Sequence, residues 1–433
     1  MSQINTIIWG IATIFLICCG LYYTFSLRFV QLNFKKIINS LKKSDSEKSG
    51  ISPFKTLTLA LAARIGVGSL AGIALGIYKG GVGVVFWIWL SAFLTLPNSF
   101  VESTLSVLFH EKDGNYYNGG PAYYINKGLK LKKLSIIYAI IIFLCYIGGF
   151  LAIQANTIAT SMETYLDISP YISGAIIALV SYLIISHGLK RIANFTSFLV
   201  PLMAMIYLVV ALVIIIFKID MIPSIISKII SEAFNFKAFG WGIISSIIIG
   251  VQRGIFSSEA GMGTGAVASG TSDTKYPCKQ GYIQMLGVYF TTFVICTSTA
   301  FVILTSNINY RIFDNPNGIE ITLKALNAHL GNFGTIILIF AILSFAFSTI
   351  ISGYYYGESN LKYLDKRIND KNINFLYVIV VLILFYGAIG NPNILWNTVD
   401  IGAGLLAIIN CYSIFMLRKE VKKEFKKEVQ YDR

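Results

Sequence analysis

Apolar positions in this chain come in long unbroken stretches, with polar positions in short blocks between them. Charge-free runs cover 1–27, 80–101, 134–162, 192–217, 280–310, 325–357, 372–399 and 401–417. Most exceed the roughly 18 to 20 residues a helix needs to cross a bilayer core. In lipid only helices and closed barrels satisfy their backbone, and runs this long are helical in length. The pattern predicts eleven spans, at about 5–27, 53–78, 82–110, 134–160, 169–187, 192–217, 238–270, 280–306, 333–356, 373–389 and 393–417. The seventh is interrupted. The longest polar connection, 111–133, is too short for a soluble domain, so the function lies in or across the membrane.

Composition supports this. Of 433 residues, 55% are hydrophobic and 13% charged, the latter about half the usual fraction. Ordinary soluble, secreted, fibrous and disordered classes are excluded. The net charge of +14 would suit nucleic acid, but its distribution argues for a membrane and against a nucleic-acid partner. With the N-terminus outside, the inner connections 28–55, 111–133, 188–191, 271–279, 358–371 and the tail 418–433 hold 27 of the 35 Lys and Arg. The outer connections hold six: Lys79, Lys218, Lys228, Lys237, Arg311 and Lys324. The positive-inside rule therefore puts the N-terminus outside and the C-terminus in the cytoplasm. The basic loop and tail either meet anionic lipid or are simply solvated.

Other chemistry is sparse. The six cysteines, Cys18, Cys19, Cys145, Cys278, Cys296 and Cys411, form no CxxC pair and read as small packing residues. His110, His187 and His329 have no metal-ligand spacing. Residues 1–27 lack a basic leader and a cleavage site. With Trp9 and Tyr22-Tyr23 as interfacial aromatics, they read as a retained first span.

Spans 2 and 7 stand apart. Each places an arginine, Arg64 or Arg253, just before a glycine-rich stretch: Gly66-Val67-Gly68-Ser69 in one, Gly254 through Gly263 in the other. Five spans separate them, so they run in opposite directions. Matched interruptions in opposed halves indicate an inverted repeat. The expected organisation is an extra helix and basic loop at 1–52 and a core at 53–418. Within that core the repeats are about 53–217 and 238–417; a basic tail follows at 419–433.

A glycine-rich break exposes N–H groups at one half-helix end and C=O groups at the other. Such backbone is tolerated at membrane depth only around a protein-enclosed or wet cavity. The positive end suits a carboxylate and the negative end an ammonium or a bare cation. The expected cradle sets a carboxylate on the N–H groups of Val67, Gly68 and Ser69. The carbonyls near Gln252, Arg253 and Gly254 take an ammonium, and Phe256, Ser257 and Ser258 line the side-chain pocket. Close helix contact through small residues is the competing account of Gly66 and Gly68.

Four charges, Arg64, Arg253, Glu259 and Asp400, fall within spans, where each is costly unless paired or wetted. They are gating or coupling candidates, with Arg253–Glu259 as one possible pair; a static pair is the alternative. Glu102 is a weaker candidate, because near the inner end of span 3 it could reach water. Ser348 and Thr349 offer adjacent hydroxyls that, with carbonyls of Ala62 and Ile65, suit sodium, or else bond back to their own helix. Gln154 and Asn156 either face the cavity or bond a neighbouring helix.

These motifs resemble, in order, those of the alanine or glycine:cation symporter family, also called sodium:alanine symporters. Ala63 through Gly72 is similar to its first signature and Gly119-Gly120-Pro121-Ala122-Tyr123-Tyr124-Ile125 to its GGPxYYI loop. Gln154-Ala155-Asn156 matches its QAN, Arg253 through Gly261 its RGxFSNEAG, and Phe347-Ser348-Thr349 with Tyr355-Tyr356-Gly357-Glu358 its span-9 region. The likeness runs from about 53 to 417. It implies an all-α LeuT-type 5+5 inverted repeat with an extra N-terminal helix. It also implies sodium-coupled uptake (proton-coupled in some members) of a small neutral amino acid such as alanine or glycine, with no enzyme activity and no cofactor. The implied substrate contacts are Gly66 to Ser69, Gln154 and Gln252 to Ser258; the implied sodium ligands are Ala62, Ile65, Ser348 and Thr349. A monomer is compatible with this reading. Two departures stand out: Gly66-Val67-Gly68-Ser69 replaces GTGN, and Ser257-Ser258 replaces the SN of SNEAG. Each removes an amide side chain, leaving the backbone to hold the carboxylate. A channel would need filter loops and an enzyme a nucleophile–base or metal constellation; the sequence displays neither.

Overall fold

Helices begin where the sequence gives them a start signal. The computed structural model describes residues 3–42, 51–114, 116–234, 241–309, 316, 318–368 and 373–431. Lys43, Lys48, Lys237, Arg311, Lys371, Arg433 and the start of span 7 at 238–240 lie outside the described residues. Five helices open on proline, whose missing N–H costs nothing at a first turn. The first helices are α1 (Gln3–Ser26), α2 (Phe34–Lys42) and α3 (Pro53–Arg64). Ser52 Oγ accepts from Lys55 N–H at the start of α3. After a π turn at Gly68–Gly72 come α4 (Ile73–Gly80) and α5 (Val84–Leu108). An antiparallel hairpin, β1 (Glu111–Asp113) and β2 (Tyr116–Asn118), leads to α6 (Pro121–Lys127). Then α7 (Lys132–Phe143) runs through a π segment into α8 (Leu151–Leu166), followed by α9 (Pro170–Ile185) and α10 (Gly188–Phe217).

The second half carries α11 (Ile222–Ala233), α12 (Trp241–Ser258) and α13 (Thr264–Ser269). A π segment joins α14 (Pro277–Val288) to α15 (Thr297–Thr305). Then come α16 (Ile319–Leu330), α17 (Asn332–Leu364), α18 (Asn374–Ala388), α19 (Pro392–Met416) and α20 (Arg418–Tyr431). Among the described residues, seven helices are long and apolar enough to cross a membrane, and the α3–α4 pair, bent by 53°, makes an eighth. α9 and α18 are shorter apolar helices, and α12 with α13 fills the place of span 7. The predicted spans are thus occupied by helices, and each half opens on a broken one.

Several expectations fail for a common reason: burial depends on neighbours that sequence periodicity does not reveal. Trp9 and Tyr23 are fully buried, not interfacial. Trp9 Nε1 donates to Asp400 O at 2.9 Å and the Tyr23 hydroxyl to Ile414 O at 2.6 Å, so α1 is fastened along α19. Cys18 is exposed; the other five cysteines are buried. The connections are also more ordered than their polarity suggests. α11 and α16 lie at the end of the bundle opposite the basic connections; α2, the hairpin, α6 and α20 lie at the basic end. Glu232 of α11 accepts from Val82 N–H at 3.0 Å, and Thr322 of α16 donates to Leu70 O at 3.3 Å.

Helices close to backbone contact where glycine allows it. A Cβ at Gly387 of α18 would lie 2.6 Å from Ala152 Cα of α8, whereas one at Gly148 would meet nothing within 4 Å. Overpacking typically costs about 1–3 kcal/mol. Gly387→Ala should therefore lower the thermal melting midpoint in detergent, and Gly148→Ala should leave it close to wild type.

Candidate functional site

Two helix breaks meet at the centre of the bundle. α3 ends at Arg64, Ile65 leaves helical geometry with φ −86° and ψ 66°, and helix resumes at Gly68. Close approach requires glycine here. A Cβ at Gly66 would stand 2.4 Å from Thr349 Oγ1, and one at Gly68 would stand 2.6 Å from the Phe256 ring and 3.8 Å from the Phe256 carbonyl oxygen. Phe256 belongs to the end of α12, so the two interrupted spans face each other directly. The second break follows Ser258, where Glu259, Gly261 and Gly263 take φ of 55°, 91° and 82°.

The second break starts later than expected. Gln252, Arg253 and Gly254 lie inside regular α12, and their carbonyls are committed to the helix rather than free for an ammonium. A helix leaves only its last four carbonyls without intrahelical partners, here those of Ile255, Phe256, Ser257 and Ser258. Ile255 O already accepts from Glu259 N–H at 2.7 Å. Gly254 serves helix contact, since a Cβ there would lie 2.5 Å from Ser91 Oγ of α5. Gln252 is fully buried, with neither amide atom hydrogen-bonded. Ser257 Oγ lies 2.9 Å from Cys296 Sγ, and Ser258 Oγ accepts from Ala260 N–H.

The first break presents its N–H groups to partners. Val67 N–H donates to Gln154 Oε1 at 3.2 Å. Ser69 donates through both its N–H and its hydroxyl to Gly66 O. Gln154 therefore reaches the break. Asn156 takes its other open role, donating to Gly387 O of α18 and to Gly390 O just past its end, at 3.1 and 2.8 Å.

Ser348 and Thr349 satisfy both readings made of them. Thr349 Oγ1 lies 2.8 Å from Ala62 O and 3.0 Å from Phe345 O; Ser348 Oγ lies 2.9 Å from Phe345 O and 3.4 Å from Ala62 O. Three buried oxygens thus converge beside the C-terminus of α3, a negative helix end. Ile65 makes no hydrogen bond to these hydroxyls among the described contacts.

The buried charges exchange partners relative to expectation. Arg253 pairs with Asp400, not Glu259, with Nη2 2.8 Å from Oδ2. Its guanidinium lies 5.1 Å from the Trp396 ring centre and 5.7 Å from that of Phe256, which stacks on Phe150 at 5.0 Å. Glu259 instead takes a 2.5 Å hydrogen bond from the Tyr146 hydroxyl and stands 3.9 Å from Arg64 Nε. Arg64 Nη1 donates to Gln284 O at 3.1 Å. The reason is geometric: Arg253 lies inside α12, whereas Glu259 stands just past its end in left-handed backbone, so the two side chains do not share a helix face. Glu102 is also fully buried, not wetted. Its Oε2 accepts from Gly261 N–H, Gly263 N–H and Asn410 Nδ2 at 3.1, 3.0 and 2.8 Å.

Sequence reasoning ranked Glu102 below the other buried charges and missed Tyr146, Phe150 and Trp396, aromatics that carried no signal. A cavity of about 650 Å³ lies at the basic end, between the hairpin, Leu189, the second half of α17 from Tyr355 to Tyr363, and Lys366 and Ile368 just beyond it. At about 1.5 Å per residue its nearest α17 wall is some 10 Å from the hydroxyl pair.

A model of the sodium:alanine symporter family matches residues 1–432. The chain belongs to that family. It is a multi-pass membrane symporter and not an enzyme. The symporter is 37% identical over 421 residues to the amino-acid carrier protein AlsT of Bacillus subtilis (strain 168), covering 97% of this chain and 89% of that one. It is 32% identical over 440 residues to the sodium/alanine symporter AgcS of Methanococcus maripaludis, covering 98% and 96%. Among solved structures, that of MhsT with L-phenylalanine is similar at a TM-score of 0.62 and 13% identity, covering 85% of this chain and 89% of that one, a likeness of fold alone.

The hairpin wall of the cavity is clamped by charge. Glu111 lies 3.2 Å from Lys127 Nζ and 3.3 Å from Lys366 Nζ. Burial raises its carboxyl, but the two ammonium groups outweigh this and hold it below the ordinary value of 4.5. A lowered folded value means the clamp contributes above the ordinary carboxylate range and is lost as pH falls through the lowered one. Glu111→Gln should speed amide exchange in 111–118 at neutral pH, with wild type and variant converging in strong acid.

Proposed function

We propose that this symporter couples inward sodium flow to uptake of a small neutral amino acid, alanine or glycine in size. The observation that carries the reading is the direct facing of the two breaks, Gly68 against Phe256, beside the oxygen cluster of Ala62, Ser348 and Thr349. The N-terminal end of the resumed helix at Val67, Gly68 and Ser69 takes the substrate carboxylate. The Gln154 carbonyl oxygen, which now accepts from Val67 N–H, stands where a carboxylate oxygen would accept. The end carbonyls of α12 at Phe256, Ser257 and Ser258 take the ammonium, with the unbonded amide of Gln252 close by in sequence. Gly66 keeps the break close to Thr349, and Phe256 limits the side-chain space over Gly68. Sodium sits on Ala62 O, Ser348 Oγ and Thr349 Oγ1, with Ile65 O as a fourth ligand.

In this reading the basic end faces the cytoplasm and the N-terminus lies outside, because 27 of the 35 Lys and Arg fall on that side. Arg253–Asp400, capped by Trp396 and Phe256, closes the outer side, and the 650 Å³ cavity is the inner vestibule. Arg64–Glu259 ties the two breaks on the inner side. Sodium and amino acid are coupled because both stabilise the same closed state.

Reconstituted in liposomes, the protein should concentrate labelled alanine or glycine under an imposed sodium gradient and not without one. Ser348→Ala with Thr349→Ala should remove sodium stimulation; full stimulation in that variant would contradict the cation site. Gly68→Leu, which drives a side chain into Phe256, should abolish substrate binding measured by isothermal titration, and wild-type affinity would contradict the cradle.

A further inference from the structure

The Tyr355-Tyr356-Gly357-Glu358 motif lies inward of Ser348 and Thr349 on α17. At about 100° per residue, Ser352, Tyr355 and Ser359 fall within about 40° of Ser348 round the helix. Spacings of four, three and four residues thus align four hydroxyl side chains on one face. The row they form is about 16 Å long at 1.5 Å per residue. Its outer end is the proposed sodium site. Its inner end is the 650 Å³ cavity, whose lining includes Tyr355, Glu358 and Ser359.

The two halves of the row differ in hydrogen bonding. In the outer half, Ser348 Oγ lies 3.4 Å from Ala62 O, and Ser352 Oγ donates to Ser348 O at 3.0 Å and Thr349 O at 3.3 Å. In the inner half, the Tyr355 hydroxyl and Ser359 Oγ are buried and have no partner. A buried hydroxyl left unpaired is destabilising and uncommon, and two on one face call for a partner that arrives in another state. The phenols of Tyr354 and Tyr356 also lack partners. Tyr354, however, stands about 120° from Ser348, and neither residue is among those lining the cavity. α3 lies against the row at Ala62. One turn inward of Ala62 is Thr58, which is buried as well.

Where the row meets the cavity, charge is balanced. Glu358 is buried and pairs with Lys362 at 2.7 Å. The cavity lining holds three acidic residues, Glu111, Asp113 and Glu358, and three basic ones, Lys112, Lys362 and Lys366. Neutral oxygens replace part of a cation's hydration shell, and a conducting route must hold the ion weakly enough to let it go. A row of hydroxyls ending at a neutralised carboxylate meets both conditions.

We propose that this face of α17 is the route by which sodium leaves its site for the basic, cytoplasmic end, with Ser352, Tyr355 and Ser359 as successive oxygen ligands and Glu358 at the mouth. This rests on the sodium site proposed at Ala62, Ser348 and Thr349. Burial of Tyr355 and Ser359 means that the route is shut in this structure, and α3 must draw away from α17 to open it.

The full-length protein in liposomes separates sodium release from the other steps. Net uptake of labelled alanine or glycine under an inward sodium gradient requires sodium to leave on the inner side. Exchange of labelled for unlabelled amino acid, with saturating sodium on both faces, does not. Ser352→Ala and Tyr355→Phe should each slow net uptake about fivefold, the rate equivalent of one ordinary hydrogen bond, and leave exchange at the wild-type rate. Tyr354→Phe removes an equally unpaired phenol that lies off the row, and it should leave both rates unchanged. Wild-type net uptake in Ser352→Ala and Tyr355→Phe would overturn the route while leaving the transport reading intact. An equal fall of uptake and exchange, or slowed uptake in Tyr354→Phe, would overturn it too, because a merely structural role predicts those results. Should one of the two row variants fail to fold, the other decides. Absence of sodium-driven uptake by wild type would overturn the route and the transport reading together.

Discussion

A backbone N–H or C=O left bare in hydrocarbon costs several kcal/mol, and the interior of this bundle is organised around that fact. The two helix breaks release such groups at membrane depth, and other elements come in to meet them. Gln154 of α8 accepts from Val67, Gly66 O receives Ser69, and Glu102 of α5 accepts from both Gly261 and Gly263. Asn156 of α8 does the same for the exposed carbonyls near the C-terminus of α18. The breaks are therefore held open at a definite geometry. What remains available is the pair of half-helix ends, of opposite polarity, with Gly68 against Phe256.

Charge obeys a related constraint. A carboxylate or guanidinium in the middle of a membrane protein needs a partner or a proton, and partners here come from distant parts of the chain. Arg253 of α12 finds Asp400 of α19, and Arg64 of α3 finds Glu259 beyond α12. Each pair ties one interrupted span to another element, so a change in the breaks also changes the pairing. The aromatic enclosure of Arg253 by Trp396 and Phe256 links the first pair to the surface over Gly68. The buried ion pair and the surface over Gly68 thus share a residue, Phe256.

The spans were legible because their signal is local: a charge-free run either is or is not long enough to cross a bilayer. The broken spans were legible too, since a glycine cluster beside an arginine is conspicuous in an apolar stretch. The hydroxyl pair at Ser348 and Thr349 was found in the same way, and it does reach Ala62. Misreadings began where one residue's role is set by another far along the chain. Trp9 looked interfacial until α19 covered it, and Glu102 looked wetted until the second break received it. α11 and α16 sit in the outer connections, where no span was predicted, and both are helices buttressing the first broken span and its neighbour.

The sequence by itself determined that the chain crosses the membrane repeatedly, which spans are interrupted and which residue types stand near the interruptions. Hydropathy, glycine content and charge all act over one or two helical turns, so they can be read along a line. Only the tertiary structure decided which carboxylate meets which guanidinium, that the second break begins after Ser258 rather than at Gln252, and that Glu102 accepts from the second break, with no ion pair among the described residues. Those outcomes depend on the faces that α12 turns toward α5 and α19, and a helix face acquires its partner only when the bundle closes.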